Sequence, residues 1–220
     1  MLALTAIGCA SGSDANPAGT GGAPGGGMGG SGSGSGGSSG TVVPTPMGML
    51  FTDDFESGVG KWDLTQGTCS IQADGTNVFN CINGGNEARA LAGEMGWGEY
   101  SVQARVKVNA MDAGRRVYLA GRFTDSNNWY GAAIYNDVPT QVQIRKKVAG
   151  TSSDIAEGTY AITPGTWYTL KLELKGSTLR LFVNDVLQIE TTDTSFSSGR
   201  IALLVDRSDV SWDDVLVTNP

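Results

Sequence analysis

The chain has 220 residues, 15 Lys and Arg against 22 Asp and Glu, a net charge of −7 and no histidine. The missing imidazole excludes Ser-His-Asp and Cys-His nucleophilic catalysis, histidine-ligated zinc and histidine as a general base. Charges of both signs are interspersed, with no lysine or arginine run, so nucleic acid is not an expected partner.

The chain opens on a short apolar run, Leu2-Ala-Leu-Thr-Ala-Ile-Gly-Cys9. It resembles a bacterial lipobox, in which the cysteine becomes the lipidated first residue of the mature protein. Ala6 stands where leucine is usual, and no Lys or Arg precedes the run. Residues 1–9 therefore read as a partial lipoprotein signal, with a start codon placed too late. Ala10, rather than aspartate, after Cys9 implies outer-membrane residence in such lipoproteins. The expected location is the outer membrane or cell surface of a Gram-negative-type bacterium, with membrane contact only through a lipid on Cys9. Residues 10–46 are rich in Gly, Ser, Ala, Thr and Pro, with Asp14 their one charge. Such a segment buries too little apolar surface to order itself, and is expected to be a disordered tether spanning roughly 35 Å.

Residues 47–220 have room for one domain that buries about 70% of its unfolded surface. Tyr100, Val102, Ala104, Val106 and Val108 alternate with Glu99, Ser101, Gln103, Arg105 and Lys107. This period of two predicts an antiparallel strand with one packed face. Further strands are expected at Arg116–Phe123, Trp129–Tyr135, Thr140–Val148, Trp167–Leu174, Thr178–Asn184, Val186–Thr191, Arg200–Val205 and Val210–Thr218. The pair Asn184-Asp185 suits a two-residue hairpin because both residues tolerate positive φ. No helical period is sustained anywhere, so the expected class is all-β, a two-sheet antiparallel sandwich behind a disordered tail. In an exported chain, Cys69 and Cys81 are expected to pair as a disulfide, leaving Cys9 for lipid. Trp62, Trp167 and Trp212 are assigned to core packing.

Several strings, in order, are similar to one family: Phe51-Thr-Asp-Asp-Phe-Glu-Ser-Gly58, Trp97-Gly-Glu-Tyr-Ser-Val-Gln-Ala-Arg105, Gly121-Arg-Phe-Thr-Asp-Ser-Asn-Asn-Trp-Tyr130, Gly165-Thr-Trp-Tyr-Thr-Leu-Lys-Leu172, Leu181-Phe-Val-Asn-Asp-Val-Leu187 and Ser211-Trp-Asp-Asp-Val-Leu-Val217. Over about residues 48–218 they resemble concanavalin A-like (laminin G-like) jelly rolls. That superfamily spans lectins, carbohydrate-binding modules, glucanases and polysaccharide lyases, so the resemblance implies sugar without choosing an activity. It also implies a structural calcium held between the first and last strands. Asp53, Asp54 and Glu56 match the first string that supplies it, and Asp213 and Asp214 the second. A hard cation would convert repulsion among these carboxylates into a cross-link, and since strand alternation puts Asp54 and Glu56 on one face, as it does Asp213 and Val215, Asp54, Glu56 and Asp213 are the preferred ligands.

On the central strands, Tyr118, Ala120 and Arg122 alternate with Val117, Leu119, Gly121 and Phe123, and Gln141, Gln143, Arg145 and Lys147 form a second polar row. With Tyr130, or Trp129 in a register shifted by one, they are expected to line the concave sheet. Arg122 also matches the family pattern. Aromatic rings stack on sugar faces, and Arg and Gln bond hydroxyls or uronates. The expected glycan site is therefore Tyr118, Arg122, Tyr130, Gln143 and Arg145. The Glu-x-Asp-x-x-Glu string of retaining glucanases is absent, and Glu94 and Glu99 flank a glycine-rich turn. The leading expectation is a monomeric, surface-tethered carbohydrate-binding module for a polysaccharide, without catalysis. A jelly-roll lyase or hydrolase using Tyr and Arg is the first alternative, and a structural or adhesive surface domain the second.

Overall fold

A computed structural model describes residues 48–85 and 87–220; the expected signal, Cys9 and the tether lie outside the described residues. Among the described residues there is no helix, and fifteen strands form two antiparallel sheets. The eight-stranded sheet runs β13 (Val186–Thr192), β12 (Thr178–Val183), β11 (Trp167–Lys175), β6 (Tyr100–Met111), β15 (Ser208–Thr218), β4 (Thr76–Ile82), β3 (Thr68–Asp74), with β1 (Met49–Asp53) also paired to β15. The seven-stranded sheet runs β10 (Thr151–Thr159), β9 (Gln141–Val148), β8 (Asn128–Tyr135), β7 (Arg116–Asp125), β14 (Arg200–Val205), β5 (Ala88–Ala92), β2 (Asp63–Gln66). The expected all-β sandwich is what forms.

Alternation builds the core between the sheets. From the eight-stranded sheet come Val102, Ala104, Val106, Leu170, Leu172, Leu181, Trp212 and Val217; from the other come Val117, Leu119, Tyr130, Ile134, Ile144 and Leu203, all buried. Each such aliphatic chain removed from water stabilises the fold by roughly 1.5–3 kcal/mol. Asn184 and Asp185 both have positive φ and join β12 to β13 as their chemistry requires. Cys69 and Cys81 lie opposite each other in the β3–β4 hairpin and are disulfide-bonded. Trp167 departs from expectation. It lies at the start of β11, outside the buried core, with the Arg105 guanidinium 4.6 Å and the Lys107 ammonium 5.1 Å from its ring centre. A cation over an aromatic face retains its hydration while the ring gains electrostatic contact, which favours this place over the core.

Two irregularities position functional groups. β15 pairs with β4 through Trp212 and with β1 from Val215, and its register on β6 shifts between Asp213 and Leu216. Asp214 at this bulge has φ 46°. β7 shifts register on β8 after Gly121, and Arg122 there has φ 45°. Bulges of this kind redirect side chains, and the second one removes Arg122 from the row that strict alternation would give it.

Candidate functional site

The outer face of the seven-stranded sheet carries two adjacent rows of side chains. Cross-strand pairing aligns Arg89, Leu204, Tyr118, Ala133, Gln143 and Glu157 in one row. The next row aligns Leu91, Ala202, Ala120, Gly131, Arg145 and Asp154. Tyr118, Ala120, Phe123, Trp129, Ala133, Ala202 and Leu204 form a buried cluster separate from the main core. The small residues at 120, 131, 133 and 202 let long neighbours lie flat. A Cβ on Gly131 would come within 3.1 Å of both the Tyr118 and Trp129 rings, so glycine is what allows those rings to close over the strand. The two rings meet edge to face with centroids 5.1 Å apart.

Over this floor the charges are paired. Arg145 Nε lies 2.6 Å from Asp154 Oδ1, and Arg145 Nη1 donates to the Tyr118 hydroxyl at 3.4 Å. Arg116 donates from Nε to Gln143 Oε1 at 2.8 Å, lies 3.6 Å over the Tyr135 ring, and approaches Asp154 at 3.7 Å. Gln143 donates to Gln141 and Glu157, and Arg89 pairs with Glu87 at 2.6 Å. Three arginines face three carboxylates, which leaves the face near neutrality. Burial pushes the Tyr118 phenol up, against the opposing pull of Arg145 and Arg116, so it remains protonated at neutral pH. The result is an aromatic floor edged by fixed donors and acceptors.

The structure brings Tyr118, Gln143 and Arg145 together as expected, but not Tyr130 or Arg122. Tyr130 points between the sheets, where its hydroxyl donates to Asp193 Oδ1 at 2.5 Å and accepts from the Phe196 backbone N–H at 3.1 Å. In β8 it is Trp129, one residue earlier, that faces outward. Arg122 turns to the end of the sandwich at its bulge and donates to the carbonyls of Gly98, Gly176 and Phe196. Arg116, Glu87, Arg89, Asp154 and Glu157 also belong to the face. Arg116 was legible from alternation with Tyr118. The carboxylates of β10 were not, because Thr151–Thr159 is a polar edge strand without apolar period.

Asp54, Glu56, Thr76, Arg105, Asp213 and Asp214 line a separate cavity of about 200 Å³ at the β15 bulge. Arg105 lies 3.3 Å from both Asp213 and Asp214, Glu56 accepts from the Asn77 N–H, and Asp54 from the Glu56 N–H. Burial raises the Asp213 carboxyl, and neighbouring Asp214 adds to the effect. Four carboxylates against one guanidinium are the donor chemistry of a hard cation. In their present rotamers no three carboxylates among the described residues converge closely enough to hold an ion.

A family model described as a 3-keto-alpha-glucoside-1,2-lyase-like domain matches residues 50–218. The chain belongs to this family. Among solved structures, it is similar to the carbohydrate-binding module CBM66 from Bacillus subtilis, at 22% identity over 72% of this chain and 96% of that one, with a TM-score of 0.64. It is also similar to domain 4 of AbnA, a GH43 extracellular arabinanase from Geobacillus stearothermophilus, in complex with arabinotriose: 13% identity, 78% and 92% coverage, TM-score 0.58. The cellulose induced protein Cip1 matches at 14% identity, 77% and 97% coverage, and a TM-score of 0.62. No curated protein sequence matches the chain. The fold of this family member is the expected concanavalin A-like jelly roll, and at these identities the structural likeness extends to fold alone.

The loop after β13 in this 3-keto-glucoside lyase-like domain is pinned through Asp193. Burial alone would raise that carboxyl, but hydrogen bonds from Lys146, Ser195 and Tyr130 override it and hold it well below the usual range. A depressed folded-state carboxyl contributes stability that is complete above its unfolded value near 4 and is lost as pH falls through the folded one. Asp193→Asn is expected to cost about 1–3 kcal/mol at neutral pH in urea unfolding. The gap between variant and parent should narrow below about pH 4; a gap that is constant with acidification contradicts this role.

Proposed function

We propose that the domain binds a glycan on the outer face of its seven-stranded sheet without catalysis, and that it is displayed at the cell surface through a lipid on Cys9 and the glycine-serine tether. One observation carries the ligand class: an aromatic floor of Tyr118 and Trp129 lies beside Arg116, Gln143 and Arg145 in adjacent rows. Tyr118, Trp129 and Gln143 are buried and support the face from beneath, so Arg116, Arg145 and Asp154 at its surface are the groups that take sugar hydroxyls. CBM66 and the arabinotriose-bound domain of AbnA, similar in fold, support glycans as the ligand class. Because Asp154, Tyr118 and Gln143 already hold the arginines, little side-chain entropy is lost on binding. Arg145→Ala and Gln143→Ala are each expected to weaken binding on a glycan array at least about tenfold, which corresponds to about 1.4 kcal/mol. Unchanged binding in both variants rejects this face as the site.

The family match favours a second reading, elimination from a 3-keto glucoside. Such a lyase removes a proton next to a carbonyl while the neighbouring glycosidic C–O bond breaks and its electrons leave with the aglycone. Glu157, whose side-chain partner is the Gln143 amide at 3.4 Å rather than a cation, is the available base. Arg145, held against the Tyr118 hydroxyl, would supply the donor that a developing enolate needs. This reading predicts release of the aglycone from a 3-keto-α-glucoside, lost in Glu157→Gln. The binding reading predicts no release.

We further propose that calcium occupies the cavity at the β15 bulge, with Asp54, Glu56 and Asp213 as its oxygen donors. The cation would displace Arg105 and tie β15 to the segment after β1. Chelation is expected to lower the melting temperature of the parent by several degrees through loss of ligand-linked stability, and to leave Asp213→Asn unaffected. Equal melting temperatures with chelator and with added calcium rule the ion out.

A further inference from the structure

The end of the sandwich holds a second cavity, of about 280 Å³, lined by Glu99, Arg122, Gly176, Ser177, Thr194, Phe196 and Ser197. It lies where the start of β6, the β11–β12 turn and the loop after β13 meet, away from the two rows described above. Arg122 forms part of its wall, is 2% exposed, and has carbonyl oxygens as its hydrogen-bond partners. Its Nε donates to Gly98 at 2.9 Å, Nη1 to Gly176 and Phe196, and Nη2 to Gly176, each of the last three at 3.0 Å. Of the five N–H groups of a guanidinium, four are thereby directed and one on Nη2 remains. Carbonyls satisfy hydrogen bonds but do not neutralise the charge. Among the described residues no carboxylate forms an ion pair with Arg122, so its charge stands desolvated beside the cavity, with Glu99 the one carboxylate in the wall.

The rest of the wall is suited to a sugar ring. Glu99 Oε1 is engaged by the Gly176 N–H at 2.9 Å, which fixes the carboxylate and leaves its other oxygen to accept a hydroxyl. Ser177, Thr194 and Ser197 supply hydroxyls at the exposed rim. Phe196 supplies an apolar wall, held by its edge contact with Tyr130 at 5.0 Å and by its backbone bonds to Tyr130 and Arg122. The loop bearing it is tied down by the Asp193 pairs, so the cavity is formed before any ligand arrives.

We propose that this cavity is a second ligand site, taking a single acidic sugar, a uronate, with its carboxylate on Arg122, a hydroxyl on Glu99 and its apolar face on Phe196. The cavity lies just below the usual 300–1,000 Å³ of ligand pockets, which limits it to one ring and so to a chain terminus or a monosaccharide. A neutral sugar offers the remaining Arg122 N–H only a hydroxyl, whereas a uronate offers a carboxylate, and the charge-assisted bond is the stronger of the two.

Isothermal titration of the intact chain with D-glucuronic acid tests the site, with methyl glucoside as the neutral control. Ser177→Tyr fills the cavity mouth from an exposed turn without touching Arg122, and its melting temperature reports folding. The expected result is glucuronate binding with a Kd on the order of 1 mM, at least about tenfold weaker binding of the neutral sugar, and loss of glucuronate binding in Ser177→Tyr. No binding of glucuronate at tens of millimolar, equal binding of both sugars, or binding that survives Ser177→Tyr overturns the proposal. Binding that survives Ser177→Tyr but is lost in Arg145→Ala reports the outer-face site instead, so the two proposals fail separately.

Discussion

Central strands buried on both faces are the constraint on which the rest of this structure depends. β7, β8 and β14 lie mid-sheet, with the aliphatic core beneath and a second cluster of aromatic and small residues above. Large side chains on the outer face can exclude water from the sheet only by lying flat, and they can lie flat only where the neighbouring positions are alanine or glycine. Ala120, Gly131, Ala133 and Ala202 meet that need. The arginines drawn over this floor are then partly desolvated, and each takes a carboxylate, an amide or a ring. Covering the sheet therefore creates an ordered, polar, aromatic-floored surface.

The same physics decides what can be read from sequence. β6 and β11 are buried on one face only, so period two stands out in Tyr100–Met111 and Trp167–Lys175. β7 and β8 read as near-continuous apolar runs, which leaves their facing ambiguous, and Trp129 and Tyr130 exchange roles accordingly. The segments around β2, β3, β5 and β10 carry little apolar pattern because they are edge or short strands whose place is set by long-range pairing. Asp154 and Glu157 were therefore hidden, although Arg145 and Gln143, to which they pair, were not.

Bulges account for the remaining difference. Alternation carried through residue 122 places Arg122 beside Tyr118 and Ala120, and an irregularity with positive φ, which sets β7 two residues out of register with β8, sends it to the sandwich end instead. There its backbone N–H meets the buried Tyr100 hydroxyl and its guanidinium ties three loops together. At the other bulge, on β15, the change of partner from β4 to β1 leaves Asp214 exposed and Asp213 buried at the cavity that Asp54 and Glu56 also line. The resemblance of the terminal strings pointed to Asp54, Glu56 and Asp213, which line one cavity, but Asp54 and Glu56 do so from the turn after β1, where Phe55 has φ 57° and the expected strand alternation does not hold. Arg105 among them was not legible, since its part depends on β6 pairing to β15.

The family description supports sugars as the proposed ligand class, and the preorganised rows of the seven-stranded sheet are the surface proposed to meet them. Chemical-shift mapping of a glycan identified by array tests this most directly, because the buried alanines beneath the arginines sense a ligand above them without being altered. The account predicts shifts at Ala120, Gly131 and Ala133 and none at Gln103 or Lys107 on the opposite sheet. Shifts confined to the eight-stranded sheet around Trp167, with the alanine methyls unmoved, would contradict it.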